Sequence, residues 1–431
     1  MVFYIVPEIR YAIGLADIVS EPMMIITGHE HPAIALLRKQ GIEVWCAEEE
    51  GKKTSYNAPG LLRLSAVQKL VLEVPVKKRK LLTFKISPPF TLLAEKLEAQ
   101  VLMPSYKLNR FWEDKSRSAA ALAKEKIPVK QSRTATLRSL SYRAVAKLLA
   151  AKNLVVQKPH GMAGNSTYFV NNEKEWKKLT SSIGVNPLVK VSPFLEGTVY
   201  TVNCLLSTKG KALCSYPMLQ ITGDERFTRY PGGTCGLDMT GAQKFKKPTL
   251  TKIEKVIQSL AKVLHKAGFW GWFGVDFVVS VRDAVTVLEI NPRFTASISI
   301  FTQAQNLQLK HSFWQQFLDE KEKKVQWMRP LLYTSLLLRN ITEDNQIISK
   351  KFTPGIYTCQ KDTLLLKQES VLLKDLKADN EYLIIAKGKD SVIHPDGEFA
   401  TIVTHRSATQ KGSVDKELAK IADLVKMALL N

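Results

Sequence analysis

Asp276 and Glu289 are the residues in this 431-residue chain whose types and spacing most directly suggest chemistry. They fall on two runs rich in β-branched residues, 274–279 and 285–293, separated by Ser280-Val281-Arg282-Asp283-Ala284. Such a pattern predicts an antiparallel hairpin. With Val281 to Ala284 as the loop, Ser280 faces Val285, and counting back sets Asp276 opposite Glu289. Two carboxylates then stand about 5 Å apart on one face, where like charges repel. Side chains alternate along a strand, so Asn291 joins Glu289 on that face and adds a third oxygen. A hard divalent cation, Mg²⁺ or Mn²⁺, turns the repulsion into a binding site, because such ions take one or two carboxylates and leave other positions to phosphates. The plainer alternative is an exposed hairpin carrying ordinary surface acids.

About 120 residues upstream, counting roughly along the sequence, Leu154-Val155-Val156-Gln157-Lys158-Pro159 reads as a strand ending in a lysine. The small-residue stretch 160–167 follows it, with Gly161, Gly164 and Ser166. Glycines let backbone N–H groups approach phosphate oxygens without Cβ interference, and Lys158 supplies a point charge. A plain β-turn is the alternative for this loop taken alone.

Together, GVDFVV…VLEINPR and the lysine–glycine stretch resemble the ATP-grasp superfamily, close to the biotin-carboxylase-related carboligases and the small-molecule carboxylate–amine ligases. The resemblance extends further. Glu113-Asp114-Lys115, opening a helix over 116–126, is similar to the segment that begins the ATP-grasp domain, and it implies a nucleotide contact for Lys115. The stretch 189–197, followed by a strand over 199–206, resembles the hinge that reads the adenine edge, which implies contacts from Phe194, Leu195 and Glu196. Relatives carry acids at the positions of Pro193 and Val199, the second binding ribose; neither is present, and Glu196 is the substitute.

Between hinge and hairpin, residues 220–236 are rich in glycine and polar residues and predict a long loop, a feature that is commonly functional. It resembles the substrate-facing loop of the same ligases. Arg226 and Arg229 can neutralise a substrate carboxylate or phosphate, or simply solvate the loop.

These segments need a scaffold of two or three cores, which 431 residues at 45% hydrophobic content can bury. Residues 22–28, 33–40 and 42–46 read as strand, helix and strand, a βαβ start that implies a parallel sheet. Gly28-His29-Glu30-His31 ends the first strand, where open α/β sheets bind ligands, but it lacks a GxGxxG fingerprint. The fold class expected is α/β, an α+β ATP-grasp core with smaller flanking domains. Residues 1–112 form a small N-terminal α/β domain, 113–325 the ATP-grasp domain, and 326–431 a small β-rich domain with a closing helix over 414–430. A helical stretch over 294–309 continues the core, and the charge run 319–324 marks the second boundary.

Five cysteines, at 46, 204, 214, 235 and 359, lack CxxC spacing, which argues against a disulfide framework and a zinc site and for a reducing cytoplasm. No apolar run approaches the roughly 18 to 20 residues needed to cross a bilayer, and no secretory signal is expected. His29, His160 and His311 read as structural or surface residues. The formal charge of +22 favours anionic partners. Clusters such as Lys77-Lys78-Arg79-Lys80 and Lys244-Phe245-Lys246-Lys247 lie far apart and belong to no nucleic-acid motif, which argues against nucleic acid.

The resemblance implies an ATP- and Mg²⁺-dependent, ADP-forming carboxylate–amine ligase. Lys158 and Arg293 are the catalytic cations that offset the meeting of phosphate and substrate carboxylate. Small anionic carboxylates and amines are the expected partners, with a homodimer left open. The alternatives are a noncatalytic nucleotide-binding or nucleic-acid-associated protein on the same scaffold, and a carboxylase-like enzyme using bicarbonate.

Overall fold

The computed structural model describes residues 1–53, 55–161, 164–183, 186–310, 312–319, 329–410 and 412–430. A five-stranded parallel sheet comes first, built from β1 (Val2–Ile5), β2 (Met23–Thr27), β3 (Glu43–Cys46), β4 (Lys80–Thr83) and β5 (Gln100–Val101). Its order is β3-β2-β1-β4-β5. The central strand is one that the βαβ reading passes over: all four residues of β1 are buried, so the strand shows no alternation of apolar and polar positions. The expected helix runs over Pro32–Lys39, and the His31 side chain caps it by accepting from the Ala33 N–H. Burial holds the His31 imidazole down to about 4, and His29 Nδ1 lies 2.8 Å from Glu48 Oε1. His29 and His31 therefore support the end of β2.

A four-stranded antiparallel sheet follows: β6 (Arg133–Thr136), β7 (Leu154–Gln157), β8 (Thr167–Val170) and β9 (Leu188–Pro193), in the order β6-β9-β7-β8. One face is apolar. Leu154, Val156, Val189 and Val191 pack on Trp176 and Leu179 of the helix Glu173–Ser182. The alternate residues of β7 and β9, among them Gln157 and Lys190, therefore point to the other face.

The third sheet holds β10 (Thr198–Leu206), β11 (Ala212–Cys214), β12 (Met218–Thr222), β13 (Thr234–Asp238), β14 (Gly271–Val279), β15 (Val285–Asn291) and β16 (Thr334–Arg339). The order β15-β14-β10-β12-β13-β16 continues through strands Glu398–Thr404, Glu381–Ala386, Gly355–Gln360 and Thr363–Glu369. Gly236 pairs with Leu336, so one eleven-stranded sheet runs from the hairpin into the C-terminal strands. The boundary expected at 325/326, most of the charge run 319–324, and His311 lie outside the described residues.

Two expectations about segments are corrected. Residues 220–236 are not one long loop: Met218–Thr222 and Thr234–Asp238 pair with each other, and the loop between them spans 223–233. The helix after the hairpin begins at Ile298, not at residue 294, and runs to Leu309. The closing helix covers Lys416–Leu430. Among the described residues no helix is long and apolar enough to cross a membrane.

Candidate active site

Asp276 pairs with Glu289 across β14 and β15, as the sequence counting requires. The route to that register differs. Val279, not Ser280, faces Val285, so the turn closes one residue earlier on the β14 side. A bulge then restores the register, because Phe277 pairs with Val287 while Asp276 pairs with Glu289, leaving Leu288 as the extra residue.

The two carboxylates have opposite surroundings. Asp276 accepts from Gln220 Nε2 at 2.6 Å and from Asn291 Nδ2 at 3.1 Å. Burial, reinforced by the Glu289 charge, pushes its carboxyl well above the usual range. Glu289 meets Lys115 Nζ at 2.7 Å. Burial works to raise its pKa too, but the Lys115 ammonium overrides that and holds it below the ordinary value. Without a cation, a proton shared by the pair therefore favours Asp276 over Glu289.

Lys115 reaches this position because Asp114 caps the helix Lys115–Lys124, accepting from the Ser116 and Arg117 N–H groups at 2.9 and 3.0 Å. The Lys115 N–H donates to Pro159 O at 3.0 Å, which ties the helix start to the lysine–glycine segment. Arg293 Nε lies 3.3 Å from Glu113 Oε1, and Arg293 also donates to Asn291 Oδ1 at 3.4 Å and stands 5.4 Å from the Phe84 ring centroid. Glu113 is shared with Lys85 at 2.6 Å.

The chemistry of this donor set suits a hard divalent cation: two carboxylates and an amide oxygen on one hairpin. Among the described residues no group of three His, Cys, Asp or Glu side chains can hold a metal ion, so the set needs Asn291 as its third donor.

Lys158 continues the β7–β8 ladder, its N–H donating to Ser166 O at 3.0 Å. Gly164 has φ +80°, and a Cβ there would meet Gly232 O at 2.5 Å. At Gly161 a Cβ would fall on the side chain of the buried Ser166. The glycine at 164 is thus required by contact with the loop 223–233, a reason that phosphate-loop reasoning alone does not contain. In the hinge, Phe194 is exposed and meets Phe169 edge to face at 5.7 Å, while its N–H donates to Asn153 O at 2.8 Å. Leu195 is partly buried and Glu196 exposed.

Arg226 and Arg229 each have partners within the chain. Arg226 grips Asp224 with Nε and an Nη at 2.8 and 2.6 Å and donates to Val414 O at 2.9 Å. Arg229 pairs with Glu343 and donates to Thr342 O at 3.2 Å. Both fasten the loop to the C-terminal segment. The reason is local: an aspartate two residues before Arg226 captures it first. The basic cluster 77–80 is also partly internal, because Arg79 is buried and donates to Val74, Leu97 and Leu72 carbonyls.

Sequence reasoning missed Gln220, whose position inside a supposed loop hid its contact to Asp276, and Lys190. Lys190 is 6% exposed. Burial, with Lys115 adding to it, lowers its ammonium to about 8 despite the opposing pull of Glu289 and Asp114.

Residues 112–297 match the model of the ATP-grasp domain, which brackets every residue of this cluster from Glu113 to Arg293. No curated protein matches the chain. Among solved structures, the biotin carboxylase domain of Hydrogenobacter thermophilus 2-oxoglutarate carboxylase is similar over 94% of this chain and 86% of that one, at 12% identity and TM-score 0.62. Campylobacter jejuni biotin carboxylase covers 99% and 91% at 13% identity and TM-score 0.62. Phosphoribosylamine–glycine ligase of Thermotoga maritima covers 99% and 96% at 14% identity and TM-score 0.61. At these identities the likeness is one of fold.

Proposed function

We propose that this chain, which carries an ATP-grasp domain over residues 112–297, is an ATP- and Mg²⁺-dependent ligase that activates a carboxylate as an acyl phosphate and joins it to an amine, releasing ADP and phosphate. The observation that carries the reading is the Asp276–Glu289 pair in register, with Asn291 beside it and Lys115 against it. Such a pair is unfavourable without a cation and favourable with one. Solved structures of similar fold include a biotin carboxylase domain in complex with magnesium ADP and bicarbonate, and a phosphoribosylamine–glycine ligase.

In this reading Asp276, Glu289 and Asn291 would hold Mg²⁺, and that ion would neutralise charge on the nucleotide phosphates. Lys115 and Lys158 supply fixed positive charge to the nucleotide from either side of the Pro159 contact. Gly161, Gly164 and Ser166 shape the loop over the phosphates, and the 194–196 segment offers backbone to the adenine. Arg293, held by Glu113 and Asn291, faces the incoming carboxylate. Phosphoryl transfer joins two anions, so fixed cations in a partly dehydrated cleft provide most of the help the protein can give. The amine then attacks the activated carbonyl and phosphate leaves. This reading goes with a location in a reducing cytoplasm. Self-association as a homodimer belongs to this same proposal.

Hydroxylamine trapping tests the reaction. With ATP, Mg²⁺ and a panel of carboxylates, an acyl phosphate yields a hydroxamate and ADP together. AMP in place of ADP would overturn the acyl-phosphate step, and bicarbonate as the sole activating substrate would favour a carboxylase.

A further inference from the structure

Lys190 lies on β9, paired with Gln157 of β7 and Thr134 of β6. Its neighbours Val189 and Val191 point into the apolar core of the small sheet, so alternation turns Lys190 to the opposite face. The helix Lys115–Lys124 lies against both β9 and β15, and this places Lys190 in the space between the small sheet and the carboxylate hairpin. There its charge is felt by Glu289, Lys115 and Asp114. Yet it has no ion-pair partner among the described residues: the Glu289 carboxylate is taken by Lys115 at 2.7 Å. A buried ammonium without a counter-ion is costly, and folds retain such a group where a ligand completes it.

We infer that Lys190 is a binding residue for the polyphosphate of the nucleotide, a third ammonium facing the phosphates from the sheet side of the cleft. This rests on the proposed nucleotide-dependent reaction and adds to it a contact that the lysine–glycine segment and the helix start do not contain. The anion is a di- or triphosphate, because only a multiply charged group can serve Lys115, Lys158 and Lys190 together while sharing a cation with Asp276 and Glu289.

The test is calorimetric binding of Mg·ATP, Mg·ADP and adenosine to the full chain and to Lys190→Met and Lys190→Arg, alongside the melting temperature of each ligand-free protein. Lys190→Met is expected to weaken both nucleotides by roughly tenfold or more, to leave adenosine unchanged, and to hold or raise the ligand-free melting temperature, since an unpaired buried charge is gone. Lys190→Arg should keep part of the affinity. Unchanged nucleotide affinity in Lys190→Met, or equal weakening of adenosine, would overturn the inference while leaving the ligase reading intact. Absence of nucleotide binding by the unaltered chain would overturn both.

Discussion

Asp276 and Glu289 face each other across β14 and β15, and among the described residues only Glu289 has a cation against it, Lys115 at 2.7 Å. Asp276 has amide donors instead, Gln220 at 2.6 Å and Asn291 at 3.1 Å. The pair is therefore asymmetric before any ligand arrives: Lys115 favours the ionised form of Glu289, while burial and the Glu289 charge favour the protonated form of Asp276.

That asymmetry predicts the effect of Asp276→Asn. An amide is isosteric, removes the like charge and keeps an oxygen, so the ligand-free protein should melt at the same temperature or higher. Mg²⁺-dependent ADP formation should be abolished, because the donor set loses a carboxylate. Glu289→Gln should abolish turnover as well but lower stability, since it strips Lys115 of its partner. Calorimetric melting with a turnover assay separates the two, and full activity in either variant would remove the metal-site assignment.

A pH dependence follows. The folded-state pKa of Asp276 lies above its ordinary 3.8, so the folded chain binds that proton more tightly than the unfolded chain does. Its contribution is present at low pH and is lost as pH rises through neutrality. Glu289 has the opposite sign, with a folded value below 4.5, so its contribution is lost only on strong acidification. Lys190, lowered to about 8, adds stability as pH rises beyond that point. Between the ordinary carboxylate range and about 7, Asp276 dominates among these three groups. The metal-free protein should lose melting temperature across that window, Asp276→Asn should lessen the loss, and Mg²⁺ with nucleotide should suppress it. A profile in Asp276→Asn identical to that of the unaltered protein would refute the assignment.

The hairpin was legible because its strands combine β-branched residues with a carboxylate on each, a pattern local to some twenty residues by rough count. Counting from the turn reaches its register because the earlier turn and the Leu288 bulge offset each other, and neither has a local residue signal. Lys190 was illegible for a different reason. In Leu188-Val189-Lys190-Val191 a lysine between two valines reads as the solvated face of a half-buried strand, and only the packing of the helix Lys115–Lys124 against β9 buries it. The role of Gln220 is hidden because it depends on β12 and β13 pairing through a segment whose glycines read as loop.

Lys158→Ala should weaken nucleotide binding by about 1.5 to 3 kcal/mol, the usual range for a charged hydrogen bond. No described carboxylate lies within ion-pair distance of Lys158, so the melting temperature should not move. Equal affinity in the variant, measured by titration, would reduce the segment to an ordinary turn.

Gly164→Ala probes the contact between the glycine segment and the loop 223–233. A left-handed φ costs an alanine roughly 1 to 2 kcal/mol on its own. At Gly164 the Cβ would also meet Gly232 O at 2.5 Å, whereas at Gly41, φ +78°, nothing lies within 4 Å. Gly41→Ala is therefore the control that carries the backbone term alone. Gly164→Ala should lose more stability than Gly41→Ala and should raise the KM for ATP, which Gly41→Ala leaves unchanged. Equal losses would show that the two loops do not need their close approach.

Arg226→Ala decides between substrate binding and loop anchoring. Asp224, 5% exposed at its side chain, has its carboxyl held low against the cost of burial chiefly by the Arg226 guanidinium. Removing Arg226 leaves that carboxylate without its ion pair and frees Val414 O, a loss of about 1 to 3 kcal/mol. The expected outcome is a lower melting temperature at neutral pH with substrate KM unchanged at a temperature where the variant is folded. Acidification should narrow the difference, because the Asp224 pKa is lowered in the folded chain and the stability it contributes disappears as pH falls through that value. Arg229→Ala should act more weakly, since its partner Glu343 is 83% exposed and a surface pair is typically worth about 0 to 1 kcal/mol. A raised KM in Arg226→Ala with an unchanged melting temperature would restore the substrate role.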